Sequence, residues 1–196
     1  MNSKTLDIPL SEQTVRDLEL GDRVTLSGLI VTARDRAHAY LLDRPDDDPL
    51  PFDLNAGVVY HCGPLVRQTA TGFDVVSAGP TTSARMNPYT PGLLTRYRPR
   101  AIIGKGGMNA EVVAALKRIG AVYLSAVGGA GGLLAHAIVA VNGQHKLDEF
   151  GSPEAMWMLQ VRNFPALVTI DAHGNSLHDQ LRDQSEKSLK NVLGDT

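Results

Sequence analysis

Between residues 101 and 127 the chain runs apolar segment, glycine loop, amphipathic segment, apolar segment. That order restricts the fold more than any other feature. Residues 101–103 (Ala-Ile-Ile) are a compact apolar strand, followed by Gly104-Lys105-Gly106-Gly107. Val112, Val113, Leu116 and Ile119 then recur at helical spacing over residues 108–119, and Gly120 supplies the stop. Residues 121–127 form a second buried-type strand. A helix flanked by two such strands covers the sheet they build, which is the unit of an α/β protein.

The flanking segments extend that pattern. Val24, Leu26, Gly28 and Ile30 alternate with polar neighbours in a strand over residues 20–32. Thr32 is expected to cap a helix over 33–42, with Asp35 in its first turn, where a carboxylate suits the helix dipole. Further strands are expected over 58–62 and 73–78, and a short helix over 93–97. The glycine-rich run 128–132 leads into an expected helix over 133–139. Strands at 157–161 and 166–170 are expected to flank a hairpin turn at 162–165. The expected architecture is α/β with a mixed sheet or two sheets. Residues 1–178 form the domain and 179–196 a polar tail or marginal helix.

Composition narrows the function. The 196 residues are 43% hydrophobic, enough for one core. A net charge of −2 and a pI near 6.3 leave no global basic field for nucleic acid or an anionic membrane. No apolar run approaches a membrane span, and the first residues lack the pattern of a secretory signal, so a cytoplasmic location is expected. The single cysteine excludes an internal disulfide framework. It equally excludes an iron–sulfur or zinc-thiolate site held by this chain alone.

Three polar, glycine-framed segments follow predicted strands: residues 32–38 (TARDRAH), 79–86 (GPTTSARM) and 104–107 (GKGG). Ligands in open α/β sheets bind beyond the carboxyl ends of strands. Each segment carries one cation there: Arg34, Arg85 and Lys105. Alone, each reads as a surface charge; after successive strands, they read as a pocket for a small anion, since an arginine fork suits a carboxylate. Lys105 is not in a P-loop, because Gly106 stands where serine or threonine belongs, and Leu134 breaks a dinucleotide fingerprint at 129–134. His38, His61, His136, His145, His173 and His178 show no zinc-helix spacing, so no metal site is expected. Cys62 and Trp157 read as core.

These blocks, with GDRVTLSGLIVTARDRAH, AVYLSAVGGAGGLLA, EFGSPEAMWML and FPALVTIDAHGNSLH, resemble the C-terminal domain of class I, iron–sulfur-dependent fumarate hydratases. They equally resemble the β subunit of L(+)-tartrate dehydratase. The likeness runs from about residue 10 to residue 178. It implies a swivelling three-layer β/β/α domain and reversible addition of water to a dicarboxylate double bond. It implies a [4Fe-4S] cluster held by a partner α subunit and not by this chain. On the matching positions, Arg34 and Arg85 contact substrate carboxylates, Thr81 is the proton-abstracting group and Lys105 lies near the substrate. Ser83 joins the substrate-binding residues, and Asp35 and His38 support them. The expected function is the β subunit of a two-subunit fumarate hydratase, with tartrate dehydratase as the alternative and a non-catalytic anion-binding module as a third reading. Self-association is expected as well, because a face built for a partner is apolar.

Overall fold

A computed structural model describes residues 3–193. Its elements in order are β1 (Ser3–Asp7), α1 (Glu12–Arg16), β2 (Arg23–Thr32), α2 (Asp35–Asp43), β3 (Val58–Tyr60), β4 (Leu65–Thr69) and β5 (Gly72–Ser77). A 3-10 turn at Ser83–Met86 precedes α3 (Thr90–Tyr97), β6 (Ala101–Gly104), α4 (Ala110–Ile119), β7 (Val122–Ser125) and α5 (Gly131–Ala135). The chain ends in β8 (Ile138–His145), α6 (Leu147–Phe150), β9 (Met156–Ile170) and α7 (Leu177–Leu193).

The short strands β3, β6 and β7 are apolar on both faces, and this sets the layers. Val58, Tyr60, Ala101, Ile103, Val122 and Leu124 point inward to one core, while Ile102 and Tyr123 point outward beneath α4. Val59 points outward beneath α2, against Ala37 and Leu41. Strands covered on both sides read as continuous apolar runs, as these do. Asn109 caps α4, its Oδ1 accepting from Val112 N at 3.0 Å, and Gly120 ends it in the left-handed conformation.

Seven strands form one mixed sheet in the order β1-β2-β3-β6-β7-β9-β8, and β2 also pairs with β9. The second pairing closes β2, β3, β6, β7 and β9 into a ring. Across the molecule this gives sheet, sheet and helices, a β/β/α order. Strands β2, β3, β6 and β7 run parallel, and β9 runs antiparallel to β2 and β7. The β2–β9 register slips between Leu26 and Gly28, opposite Asn163, which has φ 53°. Gly28 has φ +127°, and a Cβ there would lie 2.8 Å from Ile8 Cβ, so only glycine fits the bend. A bulge of this kind increases local twist and lets a sheet curve. Strands β4 and β5 form a separate hairpin.

Three sequence expectations are corrected. Residues 162–165 do not turn back: β9 is one 15-residue strand, and Asn163 serves a bulge within it. Residues 133–139 do not stay helical, because α5 ends at Ala135 and Ile138 opens β8, which pairs along the first half of β9. Thr32 does not cap α2. It ends β2, accepting from Trp157 N at 2.9 Å and donating to Ala155 O at 3.3 Å, and Arg34 takes the cap position without a side-chain cap bond. Strands β1 and β4 were not anticipated. No described helix is long and apolar enough to cross a membrane.

Candidate active site

Parallel pairing brings the carboxyl ends of β2, β3 and β6 to one edge, with Thr32 beside Tyr60 and Tyr60 beside Ile103. The ladder continues one step as Ala33 N donates to Tyr60 O (2.9 Å) and His61 N to Ile103 O (2.8 Å). Beyond that point a strap over residues 79–86 inserts between the extensions of β3 and β6. Thr81 N donates to His61 O (2.7 Å), Lys105 N to Thr81 O (3.2 Å) and Ser83 N to Lys105 O (3.0 Å). Thr81 and Lys105 are therefore held in register by backbone bonds, and both side chains are half-buried.

The other members join this edge through side chains. Asp35, in the first turn of α2, accepts from Arg85 Nε at 3.2 Å and Nη2 at 2.7 Å, tying α2 to the strap. Arg34 lies over Gly63, where a Cβ would come within 2.8 Å of its Nη1. Its Nε is buried, has no hydrogen bond among the described residues and lies 3.3 Å from Glu154 Oε1. Glu154 Oε2 also accepts from Arg36 N at 3.0 Å. Glu154 is thus part of the site, although nothing in its local sequence marks it. Lys105 lays its stem against Gly128, where a Cβ would be 3.3 Å from Cδ. Arg85, Thr82 and Gly106 are exposed, so the cluster lies on an open face.

Beneath that face is a buried polar layer. Ser83 is fully buried. Its Oγ receives the Tyr123 hydroxyl at 2.8 Å and lies 2.8 Å from His61 Nδ1, so it faces inward and not toward the open side. His38 Nδ1 lies 2.9 Å from Arg34 O; a carbonyl only accepts, so Nδ1 carries the proton. Burial lowers the pKa of His38 to about 4 and pushes that of His61 well below the usual histidine range. The two rings meet edge to face, 5.0 Å between centroids. Sequence reasoning assigned His61 no role.

The donor set does not fit an iron–sulfur cluster. Cys62 is fully buried, and burial pushes its thiol up to about 12, away from the thiolate such a cluster needs. Among the described residues no group of three or more histidine, cysteine or acidic side chains converges as metal ligands.

A closed mixed sheet that gathers two arginines, a lysine and a threonine beyond the carboxyl edge of its parallel strands defines an α/β domain with a polar, arginine-bearing edge. The chain belongs to the fumarase family: residues 2–181 match the domain described as the fumarase C-terminus. It is 46% identical over 186 residues to a Geobacillus stearothermophilus protein provisionally named fumarate hydratase class I, covering 94% of this chain but 35% of that protein. It is 41% identical over 187 residues to a Methanocaldococcus jannaschii protein provisionally named L(+)-tartrate dehydratase subunit beta, covering 94% of this chain and 96% of the relative. It is 33% identical over 175 residues to the L(+)-tartrate dehydratase subunit beta of Escherichia coli, covering 89% of this chain and 86% of the relative. The chain thus spans about a third of the first relative and most of the other two.

Proposed function

We propose that this chain is the β subunit of a two-subunit class I fumarate hydratase, a cytoplasmic hydro-lyase that reversibly hydrates fumarate to L-malate. On this reading residues 1–178 supply the carboxylate-binding half of the active site, and residues 179–196 are an appendage. The partner α subunit holds the [4Fe-4S] cluster, and the β subunit self-associates within the assembly. The observation that carries the proposal is the gathering of Arg34, Thr81, Arg85 and Lys105 at one strand edge, from the motif blocks that match the family.

Each residue has a definite task. Arg34 and Arg85 hold the two carboxylates of the substrate, as planar forks suited to carboxylate geometry. In the dehydration direction Thr81, as its alkoxide, takes on Oγ1 the proton from the carbon next to one carboxylate; the C–H electron pair becomes the new double bond and the hydroxyl on the neighbouring carbon departs with its bonding pair. A hydroxyl is a poor base near neutral pH, so it needs nearby positive charge, and Lys105 on the adjoining strand supplies it. As the proton leaves, charge builds on that carboxylate. Cations fixed beforehand stabilise this state more than the ground state, which is the requirement for catalysis.

Tartrate dehydration is the second reading, favoured by the two β subunits that the chain matches over 86–96% of their length. Co-expression with the α subunit under anaerobic conditions separates the two. Iron content is measured, then fumarate hydration and L-tartrate dehydration are assayed. The chain alone is expected to be iron-free and inactive. Thr81→Ala is expected to lower kcat at least about tenfold at unchanged iron content; near-normal kcat sinks its role. A well-formed complex inactive on both substrates favours a non-catalytic anion-binding module.

A further inference from the structure

The strap that carries Thr81 and Arg85 is fastened to the sheet edge by backbone bonds and to α2 by the Arg85–Asp35 pair. The backbone bonds of Thr81 and Ser83 tie it to His61 and Lys105. Below them one side-chain chain runs from Tyr123 on β7 through Ser83 on the strap to His61 at the end of β3, both links 2.8 Å. All three residues are fully buried. The chain exists because β6 ends in glycine: a Cβ at Gly104 would stand 1.8 Å from Ser83 Oγ.

We infer that His61 is a positioning residue for Thr81, latching the strap through its carbonyl to Thr81 N and through its imidazole to Ser83 Oγ. This deepens the hydratase reading and rests on it for its catalytic consequence.

The inference includes the tautomer of each ring. Ser83 Oγ already accepts from Tyr123, so its own hydroxyl hydrogen is satisfied by donation to His61 Nδ1. His61 then carries its proton on Nε2. His38, donating from Nδ1 to the Arg34 carbonyl, is the opposite tautomer. Among the described residues neither Nε2 has a hydrogen-bond partner, so each ring is set by its Nδ1 bond, and His61 Nε2–H stands as a buried unpaired donor. His61 is thus an acceptor toward the strap, and the orientation of Ser83 follows from it. A shift of the strap moves Thr81 relative to Lys105, and misplacing a reacting group by about 1 Å costs about a hundredfold in rate. Losing one neutral latch bond is a smaller change, equivalent to about tenfold.

The test has two arms. In the full chain labelled with 15N, long-range proton–nitrogen spectra at neutral pH are expected to show His61 protonated on Nε2 and His38 on Nδ1. His61→Leu is expected to speed amide exchange at Thr81 about tenfold while distant sheet amides are unaffected. A His61 protonated on Nδ1, or unchanged exchange at Thr81, overturns the inference. In the complex with the α subunit, His61→Leu is expected to lower kcat about tenfold with KM within about twofold. His61→Asn, whose side-chain oxygen can still accept from Ser83, is expected to recover most of it. Equal kcat in wild type and His61→Leu overturns the positioning role. A wild-type complex inactive on both fumarate and tartrate refutes the hydratase reading instead, and the spectra and exchange still decide the latch.

Discussion

Replacing Gly104 by alanine adds one methyl group at the end of β6, where the structure leaves no room for it. The new Cβ would stand 1.8 Å from Ser83 Oγ, 3.2 Å from Ser83 Cβ and 3.0 Å from Tyr123 Oη. Backbone conformation is no obstacle, because Gly104 does not have a left-handed φ. Non-bonded carbon contacts are comfortable only at about 3.5 Å, so Ser83 Oγ must retreat by more than about 1 Å. That breaks its bonds to His61 and Tyr123. A buried neutral bond contributes about 1 kcal/mol, and a buried polar group left unpaired costs about 1–3 kcal/mol. The expected destabilisation is about 3–5 kcal/mol, at the top of the range for single substitutions. Urea unfolding followed by circular dichroism measures it as a lower midpoint at unchanged slope. Ser83→Gly in the same chain removes both the Oγ and the Cβ in the way. The double variant should therefore be about 2 kcal/mol more stable than the sum of the single losses. A Gly104→Ala chain within about 0.5 kcal/mol of wild type, or strictly additive losses, would refute the reasoning.

Three further outcomes are expected. His38 stays neutral in the fold down to about pH 4, whereas it takes up a proton near pH 6.5 when unfolded. The unfolded state binds more protons in that window, so stability falls as pH drops from 6.5 to 4, by about 3 kcal/mol from this residue alone; denaturation series show whether His38→Phe flattens the slope. Cys62, buried and with its thiol pushed up to about 12, should react with a thiol reagent only as the chain unfolds, and rapid labelling of the native protein contradicts its placement. Arg85→Lys should weaken both dicarboxylate affinity and turnover without changing thermal stability, because the pair with Asp35 is half exposed while the fork is lost. Wild-type kcat/KM in that variant would mean that Arg85 does not hold the substrate.

The sequence by itself determined what local chemistry can specify. Residues 101–125 announced a strand, a capped helix and a second strand, because periodicity and capping act within a few residues. The positions after the strands announced Arg34 and Lys105 at one edge, because parallel strands share one carboxyl end, whereas Arg85 follows the separate β4–β5 hairpin and reaches that edge only on the inserted strap. Tertiary structure decided the rest. Asn163 suits a tight turn and a bulge equally; only the long partner β2 made β9 continuous and closed the ring. Residues 138–145 became strand because β9 offered a free edge along its first half. Glu154 meets Arg36 across 118 residues, and His61 meets Ser83 across 22, within an apolar run that carries no local sign of function. Hydrogen bonds between buried side chains depend on which strands lie side by side, and a sequence states that order only after the sheet has closed.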